Sequence, residues 1–90
     1  MSYILLFEDS VNLEYQKALE YYDDVSIEIG NRFEHDFKQT LQYVKQFPLH
    51  FSTRYNNIRI ALFENFPFSI HFMVDGNVIY ILKVMHTKRF

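Results

Sequence analysis

The residues able to do chemistry gather in the carboxy-terminal part of the chain. His71 lies inside an otherwise apolar run, 68–74. An imidazole there, titrating near neutrality, can serve as a general acid or base or contact a phosphate. The bland alternative is a histidine on an open sheet face. His86-Thr87-Lys88-Arg89 is the densest polar cluster and follows directly on the apolar run 78–85. Lys88 and Arg89 either bind an anion or form a solvated end. Arg59 alternates with Ala61, and a sheet-face guanidinium either pairs with a carboxylate or holds a ligand. Lys83 is a weaker case of the same kind, with simple exposure as its alternative. Arg54 and Tyr55, in the polar stretch 51–57, complete the candidates for contact with a target or a phosphate.

Most signatures of catalysis are missing. The sequence has no glycine-rich phosphate loop, no H-E-x-x-H and no G-x-S-x-G. Its four histidines show no metal-ligand spacing, so no metal site and no cofactor are expected. His35 reads as a solvated group in mid-helix, and His50 as a loop residue. Zero cysteines exclude a disulfide framework, a thiolate nucleophile and Cys-ligated zinc, which fits a cytosolic protein. Glu14, Glu20, Asp23, Asp24 and Glu28 show no paired-carboxylate geometry and read as a solvated helical face.

The net charge of −2 argues against a dedicated nucleic-acid binder, whose affinity rests on phosphate contacts. The charge is unevenly placed. Residues 8–36 carry nine acidic groups against two basic ones, and residues 37–90 carry two acidic against seven basic. An anionic partner would therefore meet the carboxy-terminal part.

The elements that must position these residues follow from periodicity. Three apolar, β-branched and aromatic runs between 58 and 86 are broken at Glu64-Asn65 and at Asp75-Gly76-Asn77, as strands of an antiparallel meander would be. Asp-Gly between two such runs is a strong hairpin signal. Taken as a three-residue loop, it unites Phe68, Ile70, Phe72 and Val74 with Val78, Tyr80, Leu82 and Val84 on one face. Upstream, residues 3–8 read as a short first strand. Val11, Tyr15, Ala18 and Tyr22 recur at helical spacing behind Ser10, a plausible N-cap. Ser26 is placed to cap a second helix whose apolar line is Ile29, Phe33, Phe37, Leu41 and Val44, with Pro48 as its stop. Residues 51–57 read as irregular. The expectation is an α+β, two-layer fold of one domain, 1–90, with an N-terminal strand and a helical hairpin packed on an antiparallel β-sheet. No run approaches the roughly 20 apolar residues of a membrane span. The start of the chain makes a poor signal peptide.

The Tyr21-Tyr22 pair, Phe33, Pro48, Tyr55-x-x-Ile58-Arg59, Phe66-Pro67-Phe68 and the stretch Val84-Met85-His86-Thr87-Lys88-Arg89 together resemble the RelE/ParE superfamily of type II toxin–antitoxin toxins (the plasmid stabilisation proteins). The match spans nearly the whole chain, carried by order and spacing. It implies a helical hairpin on an antiparallel sheet in a cytoplasmic bacterial growth inhibitor, neutralised by a cognate antitoxin. In the ParE-like branch the target is DNA gyrase and no chemistry is done. In the RelE-like branch a metal-independent endoribonuclease cleaves mRNA on the ribosome. Arg59, Lys88 and Arg89 would then hold the scissile phosphate, with His71 or His86 as acid or base. Phe68-Ser69 stands where that branch tends to have Tyr-Arg, and Phe90, not Tyr, follows the basic pair. These departures and the acidic charge favour the gyrase-binding branch. A non-toxic member that only binds an antitoxin is the third alternative.

Overall fold

The helical hairpin forms where apolar residues recur at helical spacing. In the computed structural model, which describes residues 2–88, α1 (Asp9–Val25) and α2 (Ile27–Gln46) follow the first strand, β1 (Ile4–Phe7). Val11 and Ala18 of α1 are buried, as are Phe33, Phe37 and Val44 of α2. Tyr15 and Tyr22 pack between them, their rings 4.3 Å from Phe37 and 5.1 Å from Phe33. The Tyr15 phenol is pushed up to about 12, first by burial and then by the carboxylates of Glu34 and Asp23.

Ser26 joins the helices alone. Its N–H donates to the Tyr22 carbonyl at 3.1 Å, closing α1, while its Oγ accepts the Ile29 N–H at 3.0 Å, opening α2. A Cβ on Gly30 would run into the Asp23 side chain, so the bare glycine lets the two helices approach at this end. Pro48 does end α2, beginning a 3-10 turn over Pro48–His50. Ser10, in contrast, is not the cap of α1. The Glu8 N–H still bonds the Ile81 carbonyl at 2.9 Å, so the chain leaves the sheet only after residue 8. Glu8 therefore takes the cap position, without a side-chain bond, and Ser10 lies inside the first turn.

Beyond the hairpin come β2 (Thr53–Tyr55), β3 (Ile58–Leu62), β4 (Phe68–Asp75) and β5 (Val78–His86). The sheet order is β1-β5-β4-β3-β2. The four later strands form the antiparallel meander, but β1 runs parallel to β5, so the sheet is mixed rather than wholly antiparallel. The hairpin carries the chain from β1 to the far edge, and the meander returns with β5 pointing the same way as β1. β2 was expected to be irregular. It forms because Asn56 and Asn57 adopt φ of 44° and 66°, left-handed values that short amide side chains tolerate, and so close a tight turn onto β3.

The β4–β5 turn uses two residues, Gly76 and Asn77, with Asp75 opposite Val78 and Gly76 at φ 61°. The expected three-residue loop is therefore corrected. With the shorter loop Ile79 and Ile81 join Phe72 and Val74 on the helix face, and Val78 and Tyr80 turn away. Continued unbroken, that alternation would drive Lys83 into the core. A bulge at Leu82 resets it, so Val84 is buried beside Ile70 and Lys83 faces outward. The main-chain N–H of Val84, next to the bulge, is taken by the Glu14 carboxylate of α1 at 2.9 Å. Glu14 thus belongs to the packed layer and not to a solvated face.

The core lies between the hairpin and one side of the sheet. Phe33 is fully buried among Phe63, Phe66 and Phe68, with ring centroids 5.2–5.7 Å away. Burying one such side chain contributes about 1.5–3 kcal/mol. Among the described residues no helix covers the other side of the sheet.

Candidate functional site

That uncovered side presents Ile4 and Leu6 from β1, Val78, Tyr80, Lys83 and Met85 from β5, Ser69, His71 and Met73 from β4, and Ile58, Ile60 and Leu62 from β3. Alternation along each strand places them there, because a residue and its cross-strand partner share a face. The surface is broad and mostly apolar, and its polar groups gather around His71.

His71 is only 7% exposed although its face is open. Tyr55 reaches over it from the edge strand, the phenol oxygen 3.1 Å from Nδ1. Lys83 stands directly opposite on β5. The His71 pKa is lowered from 6.5, chiefly by burial and then by the Lys83 ammonium, with Glu14 pulling weakly the other way. The imidazole is therefore neutral at pH 7, bonded on one ring nitrogen and beside a cation. Such a group can take up a proton or accept a hydrogen bond, and Lys83 can hold an anion next to it. Arg54 lies at the irregularity between Thr53 and Tyr55, exposed at the same edge.

The other candidates are elsewhere. Arg59 sits opposite Phe72, on the helix side of the sheet, and its Nη1 donates to the Phe51 carbonyl. It ties the segment after α2 to β3, a partner that neither reading of the sequence anticipated. His86 lies opposite Phe68, again on the helix side, with ring centroids 5.1 Å apart. It lines a groove of about 730 Å³ with Glu14, Lys17, Tyr21, Tyr22 and Met85. Its Nδ1 accepts the Lys88 N–H at 3.1 Å, and Lys88 itself is exposed. Arg89 lies outside the described residues. The sheet thus brings Tyr55, His71 and Lys83 together, and separates them from Arg59 and His86.

One residue of consequence escaped the sequence reading. Asp36 is 1% exposed, and its Oδ2 accepts the main-chain N–H groups of Asn65 and Phe66 at 2.9 and 3.0 Å. It pins the β3–β4 connection against α2. Its signal was position: Asp36 falls within the apolar line, between Phe33 and Phe37. Among the described residues no three His, Asp or Glu side chains are set to hold a metal ion, and no helix is long and apolar enough to cross a membrane.

No protein-family model matches the chain, and no curated protein matches it. Among solved structures, a chain described as "Chromosomal ParDE TA system from P. aeruginosa" superposes with a TM-score of 0.83. The match covers 97% of this chain and 98% of that one, at 19% sequence identity. The protein therefore has the α+β fold of that ParDE-system chain, the architecture that its resemblance to the RelE/ParE superfamily implied.

Proposed function

We propose that this chain is a ParE-like toxin of the RelE/ParE superfamily, a single-domain cytoplasmic protein that inhibits bacterial growth by binding DNA gyrase and is neutralised by a cognate antitoxin. The observation that carries the reading is the end-to-end agreement in fold with a chain of a ParDE system. The division of the site residues adds to it. A phosphate held by Arg59 would lie across the sheet from His71, so those groups do not meet on one substrate. The open face, with its apolar expanse and a few cations, is better suited to a protein surface than to a small molecule.

A second reading rests on one specific observation, the Tyr55–His71 pair beside Lys83. A neutral imidazole, a phenol and a cation together have the chemistry for general acid–base cleavage of RNA on the open face, with Arg54 as a further phosphate contact. Arg59 and His86 take no part in that version.

Induction of the chain in a bacterial host, with DNA damage signalling and transcript integrity read from one culture, separates the readings. Gyrase poisoning with intact transcripts, relieved by co-expression of the antitoxin, is the expected result. Codon-dependent transcript cleavage that is lost in His71→Gln would replace it with the nuclease. Growth unaffected at full expression would overturn both and leave a non-toxic antitoxin-binding protein.

A further inference from the structure

The two edges of the sheet are treated differently. Sheet edges carry unpaired N–H and C=O groups, and proteins blunt them with charge, proline, bulges or shortness. The β2 edge has such devices: it is three residues long, irregular in register and carries Arg54. The β1 edge, four residues long, has only its shortness. Residues 3–7 read Tyr-Ile-Leu-Leu-Phe, without charge, proline or bulge. The N–H of Ile4 bonds Asn77 at 2.8 Å and that of Glu8 bonds Ile81 at 2.9 Å, so the even-numbered residues face β5. The main-chain groups of Tyr3, Leu5 and Phe7 consequently point away from the sheet. Side chains along this edge are open as well, with Ile4 54%, Leu6 48% and Phe7 48% exposed.

We propose that β1 pairs antiparallel with β1 of a second copy of this chain, about a two-fold axis through Leu5, joining two five-stranded sheets into one. This register matches each outward main-chain group with another: Leu5 with the partner's Leu5, and Tyr3 with the partner's Phe7. It sets Ile4 against the partner's Leu6 on the open face, and an aromatic pair on the helix side. The acidic flank chooses between registers. An axis through Phe7 would press Glu8 against the partner's Leu6 and Asp9 against its Leu5, leaving carboxylates on apolar surface. An axis through Tyr3 would set Ile4 against the partner's Ser2, a polar residue in place of Leu6. Centred on Leu5, Glu8 lies beyond the paired stretch at each end. The absence of charge favours a second copy over a charged foreign strand, because the edge is complementary to itself. One strand a side is a small interface, below the roughly 1,200 Å² of stable complexes, so the dimer forms and dissociates reversibly.

Sedimentation of the full chain from about 1 µM to 1 mM, the span expected for so small an interface, reads this directly. The mass should climb toward twice that of the monomer. Leu6→Lys, at a half-exposed position, should keep the fold and abolish the rise, whereas Leu62→Lys on the same face should not. A monomer throughout, or a dimer that survives Leu6→Lys with the fold intact, overturns the proposal. The natural lack of cysteine permits a register test. At the two-fold the Leu5 Cα atoms would lie about 5.5 Å apart, within disulfide range. Leu5→Cys should therefore oxidise to a covalent dimer. Ile4→Cys, with its Cα atoms about 8 Å apart, should not. The reverse pattern overturns the axis.

Discussion

Replacing Asp36 by alanine should cost about 3 kcal/mol of folding stability. The carboxylate is 1% exposed and accepts two main-chain N–H groups through one oxygen, at 2.9 and 3.0 Å. A hydrogen bond to a charged group is worth about 1.5–3 kcal/mol net, and a donor left unmatched in a buried place forfeits more. Asn65 is exposed and Phe66 half-buried, so water recovers part of the loss, and the lower half of the summed range applies. A chain of this length has roughly 5–13 kcal/mol in total. The loss should lower the melting temperature by about 12–24 °C, at about 4–8 °C per kcal/mol. Asp36→Asn supplies the contrast. Its amide oxygen can sit where Oδ2 does and keep both main-chain bonds, while its NH₂ turns toward Asn65, whose side-chain amide can rotate to accept. Only the charge assistance goes, about 1 kcal/mol. Urea unfolding of the three proteins, followed by circular dichroism, measures the differences. An alanine variant within about 0.5 kcal/mol of the native chain would refute the reasoning, since that is the range of ordinary surface changes. So would an asparagine variant as damaged as the alanine one.

Three further outcomes are expected. The native state favours neutral His71, because burial and Lys83 lower its pKa below 6.5. Its contribution is thus fully present above pH 6.5 and is lost as pH falls through the lowered folded value, with the unfolded chain binding the extra proton. The urea midpoint should fall as the pH is taken below 6.5 in the native chain, and fall less in His71→Gln. Glu14→Ala leaves the Val84 N–H beside the bulge without its acceptor and should cost about 1.5–3 kcal/mol in the same assay, whereas Glu14→Gln should recover much of it. Ser26→Ala removes the α2 cap and should cost about 1 kcal/mol by thermal melting, with Asp at that position restoring it.

The open face differs in charge from the rest of this acidic chain. The acidic groups lie mainly on the helical hairpin, while Lys83 and the edge residue Arg54 bring positive charge to the uncovered side. Lys83 stands beside His71 on the neighbouring interior strand and Arg54 lies at the β2 edge, with apolar side chains around them.

Periodicity and end signals by themselves determined most of the architecture. The 3.6-residue spacing of Val11, Tyr15, Ala18 and Tyr22, the cap at Ser26 and the stop at Pro48 depend on neighbours within one turn, and local rules are readable in a sequence. The apolar runs after Ile58 likewise marked strands. Tertiary structure decided what those rules leave open. A run such as 78–86 has apolar residues on both faces, so periodicity cannot choose its inner side. The turn length and the bulge at Leu82 chose it, because burying Lys83 would have cost more than breaking the ladder. Asp36 and Glu14 look like any helical carboxylates until the segments they serve, 29 and 70 residues further along the chain, arrive beside them. The candidate site divided for the same reason. Arg59 and His71 are near in sequence and in neighbouring strands, yet a one-residue difference in alternation puts a sheet between them.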